Sequence, residues 1–238
     1  MLAPNYSLLH GVSTTILKNQ IDAVTPRAFT ELITAAPQIT GAFLRVAAVT
    51  HVSDIESISG PLTRALDVQS TDPAFLYAVR DSQPRAWLVS QTIVLPDSAD
   101  RLRQILAGEF DPRRIAVVEA PQDALPTPPG TDEASVSPIN GHVELSEPSP
   151  GRLVIRTRAG AESILIVADR YAPEISVEVD GQRGKLIRAN HAFRGVRLSA
   201  GEHLVEMRYV PTKFWLGATV SGFAALVAIA GLVSQRRR

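Results

Sequence analysis

Cysteine is absent from this chain. That excludes structural disulfides, thiolate metal sites, thiol nucleophiles and iron–sulfur clusters. A charge excess is absent too: 24 basic residues balance 24 acidic ones, for a formal net charge of zero. Nucleic-acid-binding surfaces carry a basic surplus, so no nucleic-acid partner is expected. Long-range steering of a charged partner is not expected either. No Walker loop, no G-x-G-x-x-G and no G-x-S-x-G elbow occurs, so nucleotide binding and an elbow-type serine nucleophile have no motif behind them. The five histidines, His10, His51, His142, His191 and His203, include no H-x-x-x-H pair. Neither a metal nor a cofactor is expected. The opening residues, Met1 to Ser7, lack the basic and apolar runs of a signal peptide.

What is present begins with apolar content. The chain has 238 residues and is 45% hydrophobic, enough for one large domain or two modest ones. Residues 214–233 carry no charge and are rich in Ala, Val, Leu and Gly. As a helix they would span about 30 Å, the hydrocarbon thickness of a bilayer. Phe214 and Trp215 stand at one end and Arg236, Arg237 and Arg238 at the other. Aromatic rings favour the interface and arginines the cytoplasmic side, which predicts residues 1–210 on the outer side. Gly217 and Ser221, with Gly222 adjacent, give the helix a small-residue face suited to close packing. Nothing earlier in the chain would translocate the soluble part. The expectation is therefore either a tail anchor or the last piece of a longer membrane protein.

Along the chain, Thr25-Pro26-Arg27 predicts a helix to about Ala36, with Thr25 as cap and Pro26 at the first helical position. A short helix is expected over 42–47 and strands over 48–52, 62–68, 75–79, 86–94 and 115–118. Residues 98–107 have helical spacing, with Gly108 as the stop. Residues 1–120 thus read as an α/β layer domain. Pro121, Pro126, Pro128 and Pro129 make residues 121–133 a semi-extended linker. Residues 134–211 read as an antiparallel β-sandwich, with strands over 136–146, 152–158, 163–168, 175–179, 185–189, 195–198 and 203–209. Asp180-Gly181 is a strong hairpin signal. The chain is then α+β overall: an α/β domain, a linker, a sandwich, a transmembrane helix over 212–235 and a basic cytoplasmic tail over 236–238.

Few residues suggest chemistry. Asp54 and Glu56 lie two apart after a predicted strand and read as a solvated loop. Asp169-Arg170 and Asp111 to Arg114 read as turns with local ion pairs, which are worth little in water. Asn5-Tyr6-Ser7 matches a glycosylation sequon by three residues only. The densest run is Arg188-Ala189-Asn190-His191-Ala192-Phe193-Arg194-Gly195. One reading has Arg188, Asn190, His191, Phe193 and Arg194 holding a sugar, with polar groups on hydroxyls and a ring for stacking. The other has a structural loop, its Phe plugging the sandwich and its Asn satisfying a turn. The structural reading is favoured.

The same stretch carries a resemblance. Asp169 to Glu174, then Val179-Asp180-Gly181, Arg188 to Val196, Ala200-Gly201-Glu202-His203 and Val205 to Tyr209 lead directly into an apolar segment. This resembles the C-terminal end of the bacterial YfhO family of polytopic membrane proteins. Pro4-Asn5, His10-Gly11, Pro26-Arg27, Leu44 to Val52 and Gln83 to Trp87 resemble further family landmarks. One departure is Pro173-Glu174-Ile175, where relatives often carry a Trp before the hairpin.

The resemblance implies a relation to GT-C-type glycosyltransferases, which decorate cell-envelope polymers from polyprenyl-phosphate sugars. Their catalytic acids lie near the first transmembrane helices, a region this chain does not match, so no catalytic residue is carried over. The function implied is a non-catalytic extracytoplasmic accessory region of a bacterial cytoplasmic-membrane protein. Its partners would be the lipid bilayer, upstream transmembrane helices and cell-envelope glycan. The alternative is a free-standing tail-anchored carbohydrate-binding or protein-interaction module. A dispersed hydrolase is a third reading, with no nucleophile–base motif or carboxylate pair behind it.

Overall fold

A computed structural model describes residues 37–54, 64, 66–71, 75–108, 110–125, 141–210, 217 and 219–224. The protein is mostly β. Its elements in chain order are α1 (Pro37–Val46), β1 (His51–Asp54), β2 (Leu66–Ser70), β3 (Phe75–Val79), β4 (Ala86–Val89), β5 (Gln91–Val94), α2 (Ser98–Ala107) and β6 (Ile115–Val118). After these come β7 (Gly141–Ser149), β8 (Arg152–Ala159), β9 (Ser163–Arg170), β10 (Ile175–Val179), β11 (Gln182–Arg183), β12 (Ile187–Ala189), β13 (Phe193–Leu198) and β14 (Gly201–Tyr209).

Local chemistry sets the helix ends. Asp97 caps α2 by accepting hydrogen bonds from the Ala99 and Asp100 amides at 2.8 and 3.0 Å. Gly108 ends it in the left-handed region at φ 67°. Between β10 and β11, Asp180 and Gly181 take φ of 53° and 75°, the two-residue turn with positive φ at both positions that the Asp-Gly pair predicts.

The strands form three sheets. β1-β3-β2 is a small antiparallel sheet, β11-β10-β14-β8-β7 has five strands, and β4-β9-β13-β12-β6-β5 has six. β4 and β5 occupy opposite edges of the six-stranded sheet yet are separated only by Ser90. The chain from Ala86 to Val94 therefore leaves one edge and arrives at the other, closing the sheet on itself. Arg114 holds the corner, its carbonyl accepting from the Ser90 and Gln91 amides at 3.1 and 3.0 Å.

Closure gives β9 two dry faces, and the period of two sorts its residues. Ile164 and Ile166 pack inside the closed sheet with Trp87, Val89, Ala116, Val118, Ile187 and Ala189. Leu165 and Val167 point the other way, toward the five-stranded sheet, where they meet Leu153, Ile155, Val177, Val205 and Met207. That second layer is the sandwich. A third core packs α1, α2 and the small sheet on Ile115, Val117 and Phe193. Inside the closed sheet Gly195 is required by space: a Cβ there would stand 2.8 Å from Ile187 Cγ1.

The sandwich is present, but it is not built from residues 134–211 alone. β4, β5 and β6, from the expected α/β domain, share one sheet with β9, β12 and β13. A boundary at 121–133 thus does not divide the sheets, because the closed sheet needs strands from both sides of it. Among the described residues, β5-α2-β6, with its parallel β5–β6 ladder, has the local α/β character expected of residues 1–120. Residues 121–125, the first of the expected linker, are held against the sheets. Pro121–Asp123 is a 3₁₀ turn, Leu125 is buried, and the Leu125 amide donates to Thr92 Oγ1 at 2.9 Å. The single strand expected over 86–94 is two, broken at Ser90.

The helix expected at 26–36, the sequon at Asn5 and residues 126–140 lie outside the described residues. Most of the expected span at 212–235 does as well. Residues 217 and 219–224 are helical. Among the described residues, no helix is long and apolar enough to cross a membrane.

Candidate functional site

The five residues singled out from sequence do not converge on one open site. Asn190 and His191 form the β12–β13 turn, both in the left-handed region at φ 46° and 69°. These are residue types that tolerate that region better than most. Asn190 is fully buried. Its amide donates to the Val117 carbonyl at 2.8 Å, and its Oδ1 accepts from the Val117 amide at 2.9 Å. One residue thus extends the β12–β6 pairing beyond Ala189 and holds a strained turn. Phe193 is buried, its ring 6.2 Å from that of Phe43. Asn190 bonds the turn to β6, and Phe193 packs in the core of the helices and the small sheet, not in the sandwich.

His191 is buried beside the start of α2. Burial holds its imidazole down to about 4, and the nearby guanidiniums of Arg101 and Arg188 add to the effect. The Ser98 backbone and Glu119 oppose it more weakly, and no hydrogen bond of good geometry reaches either ring nitrogen. The ring is therefore neutral at physiological pH. Arg101 is pinned beneath it by the Leu95 and Pro96 carbonyls at 2.7 and 2.5 Å. Arg188 lies 4.6 Å over the Tyr171 ring and 3.5 Å from Glu119.

Arg194 faces a concavity. It lines a groove of about 460 Å³ with Glu147, Asp169, Arg170, Glu174 and Tyr209. Two guanidiniums converge on one carboxylate there. Arg85 grips Asp169 through two bonds of 2.9 Å and reaches Glu147 at 3.0 Å, while Arg194 reaches Asp169 at 3.3 Å and the Arg170 carbonyl at 2.9 Å. The bidentate bond to Asp169 raises the Arg85 guanidinium. Burial lowers that of Arg194, and Asp169 partly compensates. The charges are largely neutralised among themselves. What the groove offers is fixed donors and acceptors beside the half-exposed Tyr209 ring, the kind of lining that suits a polyhydroxylated ligand.

A second constellation was missed from sequence. The Ser199 hydroxyl lies 3.0 Å from His203 Nε2, and His203 Nδ1 lies 2.7 Å from Asp180 Oδ2. Asp180 Oδ1 also accepts from the Leu204 amide at 2.8 Å. These two bonds, that to His203 foremost, hold the Asp180 carboxyl below its ordinary range. Asp180 and His203 come together because β10 pairs antiparallel with β14, Val179 opposite Val205. The turn after β10 therefore lies beside the start of β14. The readable signal was the Asp180-Gly181 turn plus Ser199 and His203 four apart across the next turn. Asp54 ends β1 and pairs with Phe75, and Glu56 lies outside the described residues. Among the described residues, no group of three His, Asp or Glu side chains is placed to hold a metal ion. No family model, curated protein or solved structure matches this chain.

Proposed function

We propose that this chain is an extracytoplasmic accessory module of a bacterial membrane protein similar to the YfhO family, and that it handles cell-envelope glycan without performing glycosyl transfer. The observation that carries this reading is the position of the Arg194–Tyr209 groove. It opens at the last residue of β14, just before the segment proposed to span the bilayer over 212–235, whose residues 214–233 carry no charge. A glycan delivered on a polyprenyl carrier would meet the groove at the membrane surface. Two further points support the reading. Val220 and Phe223, on the short helical stretch that follows, are 63% and 70% exposed, and apolar surface of that kind calls for a lipid or helical partner. Asn190, Phe193 and Gly195, from the run that carries the family resemblance, serve packing and backbone pairing, as befits an accessory region.

The test is topology followed by binding. In spheroplasts expressing the full chain, added protease is expected to cut near Pro128 without opening the membrane. Protection until the membrane is opened would favour the cytosol-facing tail-anchored module. Purified in detergent micelles, the chain should bind soluble envelope oligosaccharide, and Arg194→Ala should weaken that binding at least tenfold. Equal affinity of wild type and variant would remove the groove from the proposal.

A further inference from the structure

We infer that Ser199, His203 and Asp180 form a nucleophile–base–orienter set that makes Ser199 Oγ reactive toward esters of small acyl groups. The inference stands apart from glycan handling. Asp180 and Ser199 belong to the end of the β10–β14 ladder opposite Tyr209, roughly 20 Å from it at the strand rise per residue.

The geometry assigns the roles. An ionised carboxylate only accepts hydrogen bonds, so the 2.7 Å contact with Asp180 Oδ2 requires the proton on His203 Nδ1. In the neutral ring Nε2 is then a lone pair that faces the Ser199 hydroxyl at 3.0 Å and the Ser199 carbonyl at 3.2 Å, and of the two only the hydroxyl can donate to it. Asp180 is itself oriented, because its other oxygen holds the Leu204 amide. The His203 side chain is mostly covered, at 13% exposure, which fixes its ring, while Ser199 is exposed and open to substrate. Nucleophile, base and orienter are thus in the order that acyl transfer uses.

The step balances without any co-reactant besides water. Ser199 Oγ adds to the ester carbonyl as its proton passes to His203 Nε2. Collapse breaks the bond to the alcohol, which leaves with that proton. Water, deprotonated by His203, then cleaves the acyl-serine, releasing the acid and restoring the hydroxyl. His203 borders a groove of about 460 Å³ lined mainly by polar and charged side chains, among them His142, Arg156, Arg158 and Glu202, which offers no apolar slot for a long chain, so the expected class is a short acyl ester. A positioned base contributes roughly 10²–10⁴-fold, and that sets the scale of the expected activity.

The test uses the full chain in detergent micelles. A fluorophosphonate probe, mapped by peptide mass, should label Ser199 at least tenfold faster than Ser176, which also sits on an exposed surface. p-Nitrophenyl acetate should be hydrolysed by the wild-type chain and at least tenfold more slowly by His203→Gln. Ser199→Ala should abolish the adduct, and Asp180→Asn should slow labelling at least tenfold while near-ultraviolet circular dichroism stays unchanged. The wild-type measurement is decisive even if a variant misfolds. Labelling of Ser199 no faster than that of Ser176 overturns the proposal, as does full labelling in Asp180→Asn.

Discussion

Two turns flank β13, and they differ in an instructive way. The Asn190–His191 turn before it is buried and draws its polar residues from a dense sequence run, yet those residues hold the fold. The Ser199–Ala200 turn after it is exposed and ordinary in sequence, yet it lies in an assembled hydroxyl–imidazole–carboxylate chain. Density of polar residues along a chain is a poor guide to chemistry. Polar neighbours packed into one buried turn serve the local backbone, whereas the set at the second turn is completed by Asp180, brought in from the end of another strand. If this contrast is right, changes at the first turn cost stability, and changes at the second cost reactivity.

The largest effect is expected at Phe193. It is buried against Phe43 and belongs to the core that joins the helices to the closed sheet. Phe193→Ala should cost about 3–5 kcal/mol, the usual range for emptying a buried aromatic site. Chemical denaturation in micelles followed by circular dichroism measures it. A loss under about 1 kcal/mol would mean that the ring is not a core residue, and would return Phe193 to the sugar-stacking reading.

His191 gives the next effect, and its sign follows from linkage. The folded-state value is near 4 against an ordinary 6.5. Above pH 6.5 the ring is neutral in both states and its contribution is fully present. Between 6.5 and 4 the unfolded chain binds a proton that the folded chain refuses, so stability falls as the pH falls. Below 4 both states are protonated and the loss stops growing. The full loss is about 3 kcal/mol at 1.36 kcal/mol per unit. The groups facing the ring are Arg101, Arg188, Glu119 and the Ser98 backbone. His191→Phe should flatten the stability profile between pH 6.5 and 4 relative to wild type. Parallel profiles would show that the imidazole is hydrated.

Much of this fold was legible residue by residue. β3 and β10 fall on the expected boundaries, because Ile175, Val177 and Val179 alternate with polar neighbours and a turn follows. The Asp180-Gly181 turn was legible because few residue pairs accept positive φ twice. The break at Ser90 was not, since 86–94 is one apolar run and the bend is imposed by the Arg114 carbonyl. Sharing of strands between the halves was not legible either, because pairing partners are set by tertiary burial and not by period. The groove around Arg194 was half legible. Arg194 was singled out, but Asp169 comes from β9 and Arg85 from the bend before β4, 25 and 84 residues apart from their partners in sequence.

Asn190→Ala is expected to cost about 1–3 kcal/mol, the penalty for leaving the buried Val117 amide without its acceptor. Asn190→Gly separates the two roles of this residue. Glycine accepts φ 46° freely but restores no acceptor, so it should recover only the backbone part of the loss. Full recovery in Asn190→Gly would show that the turn, and not the bond to Val117, is what the side chain serves.

The smallest effect is expected at Ser199, and it sharpens the contrast most. The hydroxyl is exposed and fills no core space. Its contact with His203 Nε2 is one that water can replace at a surface. Ser199→Ala should therefore leave the unfolding free energy within about 0.5 kcal/mol of wild type, the usual range for surface positions away from caps and buried networks. Asp180, by contrast, bonds both His203 and the Leu204 amide, so Asp180→Ala should lower the melting temperature by more than Ser199→Ala does. If Ser199→Ala proved the more destabilising of the two, the hydroxyl would be holding the β13–β14 turn as Asn190 holds the one before β13. The two turns would then be alike, and the distance from Ser199 to His203 would be structural.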